Sequence, residues 1–226
     1  MKMIQRVLIA TVLFCLLIGG LFVTHFYRVF FASNTSFETS DKEILIPSKN
    51  TKVAAYDTLS SVVRRIDFFQ QAASRKGYVP IPGRFFIANG MSNNEMINQL
   101  RVDNRPLKLT FNNQKTLMHL ARFVADKIEA DSVSIVAAFT QPDFLKEHGF
   151  NLENVYSICI PNSYELFWNS SAEEFRDRML FEYKRFWNDK REKARKSIGL
   201  SRTETIALAA IVQLESARVD ERSTVA

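Results

Sequence analysis

The acidic side chain of Glu215 is the strongest candidate for chemistry in this sequence. It lies in the segment IALAAIVQLESARVDER, where helical spacing puts it on one stripe with Leu208, Ile211 and Val212. A helix buries such an apolar stripe, and an unpaired charge there is costly, so we expect the carboxyl group to stay protonated near neutral pH. A protonated acid is what general acid catalysis of leaving-group departure requires. The alternative is a surface acid at the end of the helix, or an ion-pair partner of Arg218 or Arg222.

The elements that must position Glu215 form a unit that begins near Pro106. A strand is predicted at Leu107–Phe111 and a helix at Lys115–Ala130, and shorter helical pieces follow at 132–139 and 143–148. The segment 173–196 carries mixed charges on one face and apolar residues at helical spacing, which predicts one long amphipathic helix. The pattern Ser201-Arg-Thr-Glu204 predicts a capping box that opens the last helix.

A smaller α/β unit precedes it. The sequence predicts a strand at Glu43–Pro47, a helix at Asp57–Lys76 that stops at Gly77, and a strand at Arg84–Ala88. Ser92-Asn-Asn-Glu95 predicts a second capping box, which opens a helix that runs to Leu100.

The first thirty residues contain a segment that is typical of a membrane span. Val7–Val23 is a run of seventeen residues without a charge, at the lower end of the length that crosses a bilayer. Lys2 and Arg6 precede it, so the positive-inside rule predicts a cytoplasmic N-terminus. The alternatives are a cleaved signal peptide, whose site the Phe-Phe-Ala sequence at 30–32 fits poorly, and a buried helix of a soluble protein. The polar residues that follow predict a linker.

Charge and cysteine content point away from metal and nucleic acid. The net charge is +6, but basic and acidic residues are mixed along the most charged segment, which is typical of a solvated helix face, and its more basic last stretch, KREKARK, could contact anionic lipid or cell-wall polymer. Cys15 falls in the span and Cys159 is the only other cysteine, and the three histidines are scattered. We therefore predict no metal site, no cofactor and no nucleic-acid partner.

Three segments, taken in order, resemble one family. They are IPGRFFIANGMSNNEMINQLR, PNSYELFWNSS and AAIVQLESARVDERSTVA, and they are similar to the endolytic murein transglycosylases, called MltG or YceG-like. The resemblance implies an α+β fold in four parts: a cytoplasmic tail and transmembrane helix at 1–31, a linker at 32–42, a small LysM-like unit at 43–105 and the transglycosylase domain at 106–226. Members of the family carry a further catalytic portion, so the domain is expected to be incomplete at Ala226.

The resemblance also implies residue roles. The catalytic glutamate of the family falls on Glu215, and Asn162, Ser163, Tyr164 and Gln213 fall on positions that bind substrate. Asn162 stands where the family often has Asp, and Gln213 replaces the first acid of the family motif. Residues two apart do not share a helix face, so Gln213 is expected to change the support of the site rather than its proton donor.

The implied activity is a lyase reaction on peptidoglycan that leaves 1,6-anhydro-N-acetylmuramic acid ends and terminates glycan elongation. The implied location is the inner membrane, crossed once, with the catalytic part in the periplasm. Glycan strands and the membrane are the expected partners, and contact with the cell-wall synthesis machinery is left open. The alternative function is a non-catalytic, membrane-anchored protein that binds or scaffolds peptidoglycan.

Overall fold

The computed structural model describes residues 2–215, 218 and 220–225. The chain forms two compact units, Met1–Pro106 with Phe167–Asn169, and Leu107–Leu166 with Ser170–Ala226. The architecture is mixed α and β, as predicted, and each unit has its own core.

The first unit begins with a long apolar helix, α1 (Lys2–Phe30). An 18-residue window within Met3–Phe30 has a mean hydropathy of 2.7, and the helix is long and apolar enough to cross a membrane. The end of the helix is different, because Val29 and Phe30 are buried in the core of the unit.

The remainder of the unit is a two-stranded antiparallel sheet with helices. In chain order the elements are β1 (Asp41–Ile46), α2 (Thr51–Ser60), α3 (Ile66–Arg75), β2 (Gly83–Ala88) and α4 (Asn93–Leu100). β1 pairs with β2 from Asp41↔Ala88 to Ile46↔Gly83. A side chain at Gly83 would meet Asn104 at 2.5 Å, and its φ of +150° also favours glycine.

The helix predicted at Asp57–Lys76 is two helices, and the prediction of one continuous helix is wrong. α2 ends at Ser60 because Val62 and Val63 turn into the core, where Val63 forms an isolated bridge with Thr35. Extended backbone at Val63 cannot continue a helix. The predicted stop is confirmed, since Gly77 has a φ of +58° directly after the C-cap.

The second unit contains the other two-stranded sheet and most of the helices. In order the elements are β3 (Leu107–Phe111), α5 (Leu117–Ala125), α6 (Ser132–Thr140), α7 (Pro142–His148), a short 3₁₀ helix (Val155–Ile158), β4 (Asn162–Leu166), α8 (Ala172–Phe186), α9 (Asp189–Ser197), α10 (Arg202–Glu215) and α11 (Arg222–Val225). Its core includes Phe139 of α6 and Phe175 of α8, whose ring centroids are 5.8 Å apart.

The long charged helix predicted at 173–196 is also divided. α8 ends at Phe186, and Asn188 then caps α9 by accepting a hydrogen bond from the Arg191 backbone N–H at 3.0 Å. The extended backbone at Asn188 ends the helical geometry of α8 and starts a new helix, and none of the residues of α9 is buried.

Candidate active site

Strand β4 carries three of the predicted substrate-binding residues. Pairing with β3 places Asn162 opposite Phe111, Ser163 opposite Thr110 and Tyr164 opposite Leu109. Alternation along the strand puts Ser163 on the outer face and turns Tyr164 inward, while Asn162, which shares the face of Tyr164, is exposed where the strand begins. The two exposed side chains are thus available to a ligand, while Tyr164 belongs largely to the core.

Tyr164 has a structural setting. Its ring stacks on Phe111 with centroids 5.4 Å apart, and its hydroxyl donates a hydrogen bond to the Ile160 carbonyl. Burial, aided by the nearby Glu182 carboxylate, raises the pKa of Tyr164 to about 12. The residue therefore fixes the start of β4 and stays a neutral phenol at physiological pH.

Ser163 and Asn162 are held by short contacts. The Ser163 hydroxyl lies 2.7 Å from the Thr110 hydroxyl on the paired strand. The Asn162 side-chain oxygen accepts a hydrogen bond from the Ser163 backbone N–H at 2.8 Å. The Asn162 amide nitrogen has no protein partner within the described part of the chain, which leaves it as a donor for a ligand.

A pocket of about 460 Å³ adjoins this strand, lined by Ile160, Asn162, Tyr164, Glu182, Arg185, Phe186, Asn188 and Arg191. Glu182 is its carboxylate, and it pairs with Arg178 at 2.9 Å and with Arg185 at 3.5 Å. Sequence reasoning did not single out Glu182. The i,i+4 and i,i+3 spacing of its two arginines on α8 was the available signal.

Gln213 links the last long helix to the sheet. Its side-chain oxygen accepts a hydrogen bond from the Asn113 amide nitrogen at 2.6 Å. Asn113 follows the end of β3, where Phe111 is paired with Asn162. The structure therefore brings Gln213 to the same end of the sheet as Asn162, although the two are far apart in sequence.

Glu215 ends α10 and is exposed, so its expected burial is wrong. Of the apolar stripe, only Val212 is buried, whereas Leu208 is 36% exposed and Ile211 57% exposed. α10 packs through the Val212 side, and nothing in the described residues covers the side that carries Leu208, Ile211 and Glu215. Since 213 and 215 are about 200° apart around a helix, Gln213 can face β3 while Glu215 faces away.

The alternative of an ion pair between Glu215 and Arg218 is not what the structure contains. Arg218 instead pairs with Asp220 at 2.9 Å and with Glu221 at 3.4 Å. Within the described residues, Glu215 has no ion-pair or hydrogen-bond partner for its side chain. The site as described thus has an unengaged carboxylate at a helix end and a cluster of polar groups around Asn162.

Comparison with known proteins defines the class. The model of the YceG-like family matches residues 44–226. No curated protein sequence matches the chain. Among solved structures, the YceG-like protein lmo1499 of Listeria monocytogenes is similar, with 13% sequence identity, a TM-score of 0.45, and coverage of 82% of this chain and 67% of that one.

The family match spans most of the sequence, so the chain belongs to the YceG-like family. This is the family of the murein transglycosylase MltG.

Proposed function

We propose that the protein is a membrane-anchored lytic transglycosylase of peptidoglycan, which cleaves the bond between N-acetylmuramic acid and N-acetylglucosamine within glycan strands. Family membership supports the class of reaction. The observation that carries the residue assignment is the hydrogen bond between Asn113 and Gln213, since it holds the helix that ends in Glu215 against the end of the sheet that carries Asn162.

In this proposal Glu215 performs both proton transfers. Its carboxyl group donates a proton to the glycosidic oxygen as the bond to the anomeric carbon breaks. The resulting carboxylate takes the proton from the muramyl 6-hydroxyl, whose oxygen bonds to the anomeric carbon and closes the 1,6-anhydro ring. The acid is regenerated and no water is consumed, so a second catalytic carboxylate is not required, in contrast to glycoside hydrolysis.

The exposure of Glu215 assigns a task to the bound glycan. Exclusion of water from an active site strengthens the electrostatic interactions within it. Leu208 and Ile211 lie exposed on the same side of α10, and they offer apolar surface to the face of a sugar ring. A strand bound along this side would cover Glu215 and exclude water from it.

We also propose that α1 crosses the inner membrane once, with the N-terminus in the cytoplasm and both units in the periplasm. The β1-α2-α3-β2 arrangement, a helix pair between two antiparallel strands, supports a LysM-like unit at 43–105 that holds glycan. The proposed setting next to the membrane would bring the protein to strands that are still being synthesised, close to the cell-wall synthesis machinery.

The test is the Glu215→Gln variant of the full-length natural protein, incubated with purified glycan strands. Gln fills nearly the same volume but cannot donate the proton, so we expect 1,6-anhydromuramyl products to be lost. The matched control is Glu173→Gln, which neutralises an exposed glutamate at the start of α8, and it should retain wild-type yield. Undiminished product from Glu215→Gln would overturn the assignment of Glu215.

The second candidate is a non-catalytic peptidoglycan-binding protein. Asn162 and Gln213, which replace family acids with neutral amides, favour it. Wild-type protein that binds glycan strands but yields no anhydro product would establish this function in place of the first.

A further inference from the structure

The end of the membrane helix is built into the first unit rather than tethered to it. Val29 is fully buried, and its carbonyl accepts a hydrogen bond from the Asn93 side chain of α4 at 2.7 Å. The backbone therefore passes from the span into the core without a flexible joint at this point.

The residues after the helix extend this attachment. The Asn34 side chain donates to the Arg65 carbonyl at 2.9 Å and to the Asn93 side-chain oxygen at 2.7 Å, and it accepts from the Arg65 N–H at 2.9 Å. Asn34 and Asn93 are both buried. Rotation of the unit about α1 would leave these buried polar groups without partners, which is unfavourable. Residues 32–42, for which a linker is predicted, include this buried Asn34.

The contacts between α1 and α3 fix the height of the unit above the bilayer. His25 lies 3.3 Å from the Gln71 side-chain oxygen, and its ring meets that of Phe68 edge-on at 5.9 Å. His25 is two residues beyond Val23, about 3 Å along the helix axis. Each headgroup layer is about 5–7 Å thick. When the charge-free run fills the hydrocarbon core, Phe68 and Gln71 therefore lie at headgroup height.

The aromatic residues at the end of α1 agree with this height. Tyr27 and Phe31 are exposed, their ring centroids are 6.3 Å apart, and Phe26 is adjacent. Tyrosine is enriched where a span leaves the membrane, and Tyr27 lies at that position.

The charges on this side of the unit favour an anionic surface. Arg65 is neutralised by Asp67 at 2.7 Å. In contrast, Arg28, Arg64 and Arg75 are exposed, and the described residues provide no ion-pair partner for them. Arg75 lines a shallow depression of about 420 Å³ on α3, together with Asp67, Gln70, Gln71 and Ser74.

We infer that the surface of α3 around the depression lined by Gln70, Gln71, Ser74 and Arg75, with Arg64 just before the helix, rests among the headgroups of anionic phospholipids. The inference uses only the membrane span and the first unit, so it does not depend on catalysis by Glu215. The cations of this α3 surface bind lipid phosphate, while the buried asparagines keep the helix at the required height.

The test uses a fluorophore on the full-length chain in nanodiscs. Gln70→Cys is labelled in a Cys15→Ala background, because burial raises the pKa of the Cys159 thiol far above its ordinary value and leaves it unreactive. The matched control is Lys49→Cys. Lys49 follows the end of β1, and β1 is about 17 Å long from its start, which lies beside the Thr35–Ala88 hydrogen bond, to that end. Nitroxide groups on lipid heads serve as quenchers.

We expect strong quenching at residue 70 and weak quenching at residue 49. Equal quenching at the two positions would overturn the placement of α3. Two preparations are then compared, one with the nitroxide on an anionic lipid and one with it on a zwitterionic lipid. Quenching at residue 70 should be stronger with the labelled anionic lipid, which would be enriched there by up to about fivefold per cation. The Arg64→Gln/Arg75→Gln variant should lose that enrichment, and equal quenching by both lipids in the unsubstituted Arg64/Arg75 protein would overturn the anionic partner.

Discussion

Replacement of Asn93 by Ala should destabilise the first unit far more than its size suggests. The Asn93 side chain is fully buried, donates to the Val29 carbonyl and accepts from the Asn34 amide. Alanine removes both interactions. It leaves the Val29 carbonyl and one N–H of Asn34 buried without a partner, while the other N–H still donates to Arg65.

The magnitude follows from these two groups. A buried polar group that loses its partner costs about 1–3 kcal/mol. Two such groups therefore lower the free energy of unfolding by about 3 kcal/mol, which is a large part of the stability of a small unit. The small cavity left by the amide adds to the loss.

The assay is urea denaturation of the full chain in detergent micelles, with unfolding of the first unit monitored through hydrogen exchange of the α4 amides. The control is Asn98→Ala on the same helix, where the side chain is exposed and, among the described residues, accepts a hydrogen bond from Lys76 alone. That change should alter the free energy of unfolding by no more than about 0.5 kcal/mol. Equal losses in the two variants would refute the reasoning that buried hydrogen bonds join the membrane helix to the unit.

Three further predictions address other parts of the chain. Phe175→Ala should lower the free energy of unfolding of the second unit by about 3–5 kcal/mol, because Phe175 is fully buried. Phe181 on the same helix is exposed and should tolerate alanine. A similar loss of stability from both changes would contradict the core described for α8. Hydrogen bonds from the Ser92 backbone and side chain lower the pKa of Glu95. Its contribution to stability is therefore present above the unfolded pKa and is lost as the pH falls through the folded pKa. In thermal melts the advantage of wild type over Glu95→Gln should begin to fall near the ordinary glutamate pKa of about 4 and vanish below the lower folded pKa, and an advantage that did not change with pH would contradict this assignment. Gln213→Glu keeps an acceptor for the Asn113 amide and should retain glycan cleavage. Gln213→Leu removes that acceptor and should reduce the rate of cleavage several-fold. Equal rates for the two variants would show that this hydrogen bond does not position α10.

Local sequence signals were sufficient to predict those elements whose structure depends on residues close together in the chain. Both capping boxes are confirmed: the Ser92 hydroxyl accepts from the Glu95 backbone N–H at 3.3 Å, and the Ser201 hydroxyl accepts from that of Glu204 at 3.2 Å. Each requires only four consecutive residues to adopt a helix start, so composition and spacing determine it. The strand Leu107–Phe111 was equally readable from its alternation.

Distant contacts explain what the sequence did not reveal. The strand β4 was not recognised, because its partner β3 lies about fifty residues earlier and its alternation is short. The break between α2 and α3 depends on the β-bridge between Val63 and Thr35, and helical periodicity in the sequence does not predict such a bridge. In both cases the deciding hydrogen bonds join segments whose proximity only the folded chain establishes.

The same distinction governs Glu215. Periodicity correctly groups Glu215 with Leu208 and Ile211 on one side of α10, but periodicity does not say what covers that side. In the structure Val212 packs inward and its neighbours are exposed. A glycan strand that covers Leu208 and Ile211 would exclude water from the acid when substrate is bound. Proton donation would then depend on a strand lying along α10, and free sugars too short to cover Leu208 and Ile211 would be poor substrates even if they reached Asn162.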